Sequence, residues 1–300
     1  MLLSKDRKRC NRNYAASGPE QYFPSADRNA GACIRRPVYG GGWQMKQLTA
    51  FTKKEFMEFI RTGKALLLMI LFVLFGIMNP AVAKLTPWLL EAMSQDLTET
   101  GFVITEIKVD AMSSWAQFYK NIPIALILFL FLFSGILIAE YHKGTLVNMI
   151  TKGMDRWKIL MSKLIVMIFF WTAGYWICYG ITYLYNAWFW DNRAASYLLF
   201  SAFCFYLIGI WIISLVVCFS AFFENNSAVL IAIACSFLLV YLIGFIQKVK
   251  KFLPIKLLDS ADLLSGTKEA SEYSYAMVVL ILLVIVNITI AVIQFNKKNL

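Results

Sequence analysis

The residues with the most chemistry to offer lie between Glu140 and Lys163. Glu140 ends an apolar run, and Lys143, Lys152, Arg156, Lys158 and Lys163 follow it, together with the only histidine, His142. Glu140 and Arg156 flank the segment with opposite charge, so they are expected to pair and fix its geometry. Between them Thr145 can cap a short helix. Its apolar residues Leu146, Met149 and Ile150 are expected to face water, as knobs for the groove of a partner. Gly153 can close that helix in the left-handed conformation, and Asp155 can cap the next one. His142 has no companion motif and reads as an exposed loop residue rather than a ligand or a base.

Other chemistry finds no footing. The chain has no H-E-x-x-H or G-x-S-x-G, and no catalytic residue is expected. It has no G-x-x-x-x-G-K-[ST], so no nucleotide cofactor is expected to bind through a P-loop of this chain. Cys178, Cys204, Cys218 and Cys235 lie in apolar runs, Cys10 and Cys33 lie near the N-terminus, and none forms a C-x-x-C pair. They read as small apolar residues, and no metal site is expected.

The elements that position the Glu140–Lys163 segment are membrane helices. Mean hydropathy is +0.62, 59% of residues are hydrophobic and 16% are charged. Six runs carry no charged side chain: Ala65–Ala83, Ile122–Ala139, Leu164–Trp190, Ala194–Phe223, Ser227–Ile246 and Tyr273–Asn296. Each can cross a hydrocarbon core of roughly 30 Å as a helix. The fold expected is an all-α integral membrane protein with six transmembrane helices. The absence of intramembrane charge counts against ion-coupled transport. The net charge of +11 is scattered over loops, without the basic stripe of a nucleic-acid binder.

Several local features refine this. Lys46–Lys64 reads as an amphipathic interfacial helix, with Leu48, Phe51, Phe56, Phe59 and Ile60 opposite Lys53, Lys54, Arg61 and Lys64. Glu55 intrudes on its apolar side. Asn79-Pro80 should kink or end the first span, and Thr86-Pro87 has the form of a fresh helix start. Residues 252–264 read as a short interfacial segment. The basic loop 143–163 and the acidic loop 84–120 place both termini in the cytoplasm by the positive-inside rule. Counted from Met45, twelve Lys/Arg fall inside and nine outside. The bias is weak because Lys248, Lys250, Lys251 and Lys256 fall on the outer side.

Residues 1–44 are polar, lack apolar periodicity, and hold eight Lys/Arg and three Asp/Glu. They read as a disordered tail or as an extension preceding a natural start at Met45. In the second case Gly40–Gly42 would reflect a purine-rich ribosome-binding site. The membrane domain is then 45–300.

The segment resembles the membrane permeases of type-two ABC exporters. Their loop between the second and third spans looks like E-x-x-x-G-T-l followed by s-R-x-x-i-l-x-x-K. Glu140, Gly144, Thr145, Arg156, Ile159, Leu160 and Lys163 match it. Lys54-Glu55 in the amphipathic stretch resembles the elbow helix of that family, and Gln117–Asn121 resembles a Q-F-x-K-N element of a bacterial branch. The resemblance covers Met45 to Leu300. It implies a permease subunit in a bacterial plasma membrane that pairs with a second copy or a paralogue. A separate ABC ATPase subunit would bind the ATP and dock at Glu140–Lys163. A non-transporting membrane scaffold or immunity protein using the same loop is the competing expectation.

Overall fold

The computed structural model describes residues 22–24, 33–35, 41–98, 110–142, 144–151, 153–192, 195–266 and 268–298. Two short strands, β1 (Tyr22–Pro24) and β2 (Cys33–Arg35), pair antiparallel. Among the described residues, every element after them is a helix. The order is α1 (Gly41–Arg61), α2 (Lys64–Thr98), α3 (Ala111–Phe133), α4 (Ile138–His142), α5 (Thr145–Thr151) and α6 (Arg156–Phe189), then α7 (Leu198–Phe222), α8 (Asn226–Ile243), α9 (Gln247–Lys250), two 3₁₀ segments, Pro254–Ser265 and Ala270–Tyr273, and α10 (Ser274–Lys297). Among the described residues, six stretches are long and apolar enough to cross a membrane: Lys64–Trp88, Ala111–His142, Arg156–Phe189, Leu198–Phe222, Asn226–Ile243 and Ala270–Lys297. The chain is a multi-pass helical membrane protein, and these spans fall on the six uncharged runs. The tail expectation for residues 1–44 lies largely outside the described residues, although α1 begins at Gly41, ahead of Met45.

Neither proline ends the helix of the first span. Helix α2 continues through Pro80 and Pro87 as far as Thr98. Thr86 does not start a helix; its Oγ1 donates back to the Val82 carbonyl at 2.7 Å, the usual recourse of a hydroxyl inside a helix. The break in a span falls elsewhere. The second span is interrupted at residues 134–137 between α3 and α4, where Ser134 and Gly135 stand among apolar residues.

In hydrocarbon, association between helices draws on packing and interhelical hydrogen bonds. Both are visible. Asn121 Nδ2 donates to Asn79 Oδ1 at 2.7 Å, and Asn79 Nδ2 donates to Thr182 Oγ1 at 3.0 Å, which ties α3, α2 and α6 together through side chains that are all buried. Tyr175 OH donates to the Ala202 carbonyl at 2.6 Å and joins α6 to α7. Asn287 Nδ2 donates to Ser214 Oγ at 3.0 Å and joins α10 to α7. Helix α7 is the most enclosed span, whereas α8 and α10 present most of their surface outward.

The two ends of the bundle differ. At one end, the 3₁₀ segment Pro254–Ser265 folds onto the start of α7. Ser201 Oγ donates to the Ser260 carbonyl at 2.7 Å, and Leu257 and Leu263 of the segment are buried. The stretch read as a short interfacial segment is thus a cap packed on α7. The other end carries α1, α4, α5 and the C-terminus, so the two ends of the helical region lie together there.

One contact tests the packing directly. A Cβ on Gly209 would stand 2.2 Å from the Trp171 ring. That ring is fully buried, and its Nε1 donates to the Tyr206 carbonyl at 3.2 Å. Gly209→Ala should therefore cost about 1–3 kcal/mol in detergent unfolding. Gly180→Ala, where the new carbon meets nothing within 4 Å, should be neutral or stabilising by up to ~1 kcal/mol. Equal effects of the two changes would contradict the packing described.

Candidate functional site

The site begins with α1. Its buried stripe is Phe51, Glu55 and Phe59, spaced one turn apart, while Ile60 is 48% exposed. The apolar face is thus narrower than the sequence suggested, and Glu55 belongs to it. Phe59 stacks on Phe133 of α3 with centroids 4.4 Å apart, and Phe56 stacks on Phe170 of α6 at 5.3 Å. These rings press α1 against the bundle and carry Glu55 inside with them.

There Glu55 meets Lys163. Lys163 Nζ lies 2.8 Å from Glu55 Oε2 and 3.2 Å from Glu140 Oε2. Lys54 Nζ lies 3.2 Å from Glu140 Oε1, 2.9 Å from Glu55 Oε1 and 2.8 Å from Glu58 Oε2. Three carboxylates and two ammonium groups from α1, α4 and α6 thus form one junction. Glu55, Glu140 and Lys163 are buried, whereas Lys54 and Glu58 reach solvent. Beside it, Lys158 Nζ donates to Gln47 Oε1 at 2.9 Å and pairs with Asp155 at 2.9 Å.

Burial by itself would raise the Glu55 carboxyl. The Lys163 charge and hydrogen bond, helped by Lys54, outweigh that and hold it below the ordinary carboxylate value. Burial opposes the charge on Lys54, yet its hydrogen bonds to Glu58 and Glu55 raise it above the ordinary lysine value.

Several expected roles change. Glu140 does not pair with Arg156; its partners are Lys163 and Lys54. Lys163 lies two helical turns beyond Arg156, which brings an ammonium, not the guanidinium, to the level of Glu140. Arg156 Nη1 instead donates to the carbonyls of Phe295 at 3.4 Å, Asn296 at 3.3 Å and Lys298. A helix C-terminus leaves carbonyls without intrahelical donors, so a cation there is favourable. Lys298 in turn lies 4.4 Å over the Tyr141 ring and 3.2 Å from Glu224.

The loop helix forms as α5, but Leu146 is 1% exposed and packs into the core. Met149 and Ile150 are half-buried against the same core. The helix lies on the bundle, so its apolar side is shared between bundle and solvent and does not stand free. Thr145 begins α5, yet its Oγ1 donates to the Glu140 carbonyl at 3.4 Å. Asp155 stands at the cap position of α6 with its carboxylate turned to Lys158. The glycine at the end behaves as expected. Gly153 has φ +87, with its N–H on the Ile150 carbonyl at 2.9 Å and the Met154 N–H on the Met149 carbonyl at 3.2 Å. That pair of bonds is the Schellman closure. Gly144, at φ +64, sets the entry to the helix.

Expected residues Lys54, Glu55, Glu140 and Lys163 converge. Gly144, Thr145, Leu146, Met149 and Ile150 form the adjoining helix, and Arg156 stands apart at the C-terminus. Glu58 was missed, although its i,i+4 spacing from Lys54 was a usable signal. Gln47, Tyr141 and Lys298 carried none. Among the described residues, no cluster of His, Cys, Asp and Glu suits a metal ion. In comparisons with known proteins, the chain matches no family model and no curated sequence.

Removing the central cation leaves two buried carboxylates facing each other. Lys163→Met should destabilise the protein by about 3–5 kcal/mol in detergent unfolding. The pH dependence has a definite sign. The folded Glu55 value lies below its ordinary 4.5, so its stabilising contribution is complete above that pH. It is lost as pH falls through the folded value. Unfolding should grow acid-sensitive below about pH 4.5, and Glu55→Gln should flatten that part of the profile. A profile unchanged by Glu55→Gln would exclude this carboxylate as its source.

Proposed function

We propose that this chain is the transmembrane permease subunit of an ATP-driven exporter of the type-two ABC kind. It sits in a bacterial plasma membrane with both termini in the cytoplasm. In this reading α1 is the elbow helix and the bundle is one half of the export pathway, completed by a second copy or a paralogue. A separate ATPase subunit binds and hydrolyses ATP and docks at α5. No catalytic step belongs to this chain.

The observation that carries the reading is the buried junction of Lys54, Glu55, Glu140 and Lys163. These residues carry the resemblance, they come from three separate elements, and they meet directly beside the loop helix. A force on α5 therefore acts at once on α1, on the end of the second span and on the start of the third. The closures at Gly144 and Gly153 give α5 the fixed position a coupling element needs. A scaffold or immunity protein has no comparable need to tie a surface loop to three membrane elements.

The docking surface on α5 is Met149, Ile150 and the exposed residues around them. Met149→Asp with Ile150→Asp should weaken retention of the co-expressed ATPase at least about tenfold, since apolar burial of this size supplies the affinity. The melting midpoint and size-exclusion profile of the variant alone separate lost docking from lost folding. ATP-dependent efflux from proteoliposomes should fall in parallel. A correctly folded double variant that still holds the ATPase at parent affinity would refute docking through α5. Parent complex that binds the ATPase but moves no cargo on ATP addition would favour the scaffold.

A further inference from the structure

The cluster Lys248, Lys250, Lys251 and Lys256 sets charge at the end of the bundle opposite α5. The structure divides it in two. Lys250 Nζ lies 2.7 Å from Asp259, and Lys256 Nζ lies 3.6 Å from Glu272. Those two are matched by carboxylates of the cap and of the segment leading into α10. The remaining carboxylates of the cap region are also engaged: Asp262 pairs with Lys268 at 2.5 Å, and Glu269 accepts from Ser271 Oγ at 3.2 Å. Among the described residues, no acidic group pairs with Lys248 or Lys251, and both are exposed.

Their neighbours are as informative as their charge. Phe245, Ile246, Val249 and Phe252 are all exposed, and Leu238 and Leu242 carry the same apolar surface along the last turns of α8. Residues 245–253 comprise the single turn of α9 with tight turns on either side of it, Val249 N–H lying on the Ile246 carbonyl and Phe252 N–H on the Val249 carbonyl, each at 3.0 Å. Lys248 and Lys251 stand three residues apart and therefore share a side of these turns. Two unmatched ammonium groups thus sit where an exposed apolar span leaves the hydrocarbon. Apolar side chains among acyl chains with cations at their border is the arrangement that meets anionic lipid phosphate.

We infer that residues 245–252 form a binding site for an anionic phospholipid. Lys248 and Lys251 hold its phosphate, and an acyl chain lies along Phe245, Leu242 and Leu238. The site needs no cargo or ATPase, and it suits either leaflet. Native mass spectrometry tests it on the full chain, offered phosphatidylglycerol and phosphatidylcholine in equal amounts. The parent should retain phosphatidylglycerol preferentially. Lys248→Gln with Lys251→Gln should cut that preference by roughly ten- to thirtyfold. Lys248→Arg with Lys251→Arg should keep it, because the charge is conserved. Lys46→Gln with Lys53→Gln, an equal charge loss at the opposite end, should leave most of it. All four lysines are exposed, so these changes spare the core. A parent without preference, a double Gln variant that keeps it, an Arg variant that loses it, or a Lys46/Lys53 variant that loses as much as the Lys248/Lys251 one would each overturn the site.

Discussion

The Lys163 ammonium, buried between two carboxylates, is the constraint on which the loop end of the molecule depends. A charge taken out of water is tolerated only with partners in close geometry, and Glu55 and Glu140 supply them at 2.8 and 3.2 Å. Each partner comes from a different element, so the demand for pairing becomes a demand on architecture. Helix α1 must lie where Glu55 reaches inward, and the second span must end where Glu140 does. The aromatic contacts of Phe56 and Phe59 then add apolar packing to a position that charge has already selected. Lys54, half in solvent, extends the junction to Glu58 and closes it toward water.

A second set of constraints acts inside the bundle. Lipid tails are as apolar as leucine, so the spans gain little from hydrophobicity in finding one another. Asn79, Asn121 and Thr182 supply direction instead, because an amide in hydrocarbon needs a partner. The same logic explains why α7 rather than α8 is central. Helix α7 offers Ser214 and the Ala202 carbonyl to its neighbours and lets Trp171 sit against Gly209, whereas α8 offers mostly branched apolar side chains that lipid accommodates equally well. The cap at Pro254–Ser265 extends this hydrogen-bonded packing to the far end through Ser201 and Ser260.

Legibility varied from element to element for identifiable reasons. The six spans were readable because each is an uninterrupted apolar run, and a backbone in hydrocarbon has few alternatives to a helix. The left-handed closure at Gly153 was readable because only local geometry decides it. Proline did not mark a helix boundary at Pro80 or Pro87: a missing N–H within a membrane helix is absorbed by its surroundings. The sign of the α5 face was also misread, because apolar side chains on a short loop helix suit a partner and the bundle equally well. Leu146 went to the bundle.

What the sequence by itself determined is the six membrane spans, their order, and the presence of a charged segment between the second and third of them. Each follows from hydropathy and spacing along the chain, which are local. Tertiary structure alone decided who pairs with whom. Glu140 and Arg156 were the evident couple in one dimension, but helix α6 turns Lys163 toward Glu140 and leaves Arg156 beside the carbonyls of Phe295, Asn296 and Lys298. Glu55 looked like a flaw in an apolar face until Lys163 met it from 108 positions away. Opposite charges in a chain of many lysines carry no address, and only the packing of helices brings one particular pair within three ångströms.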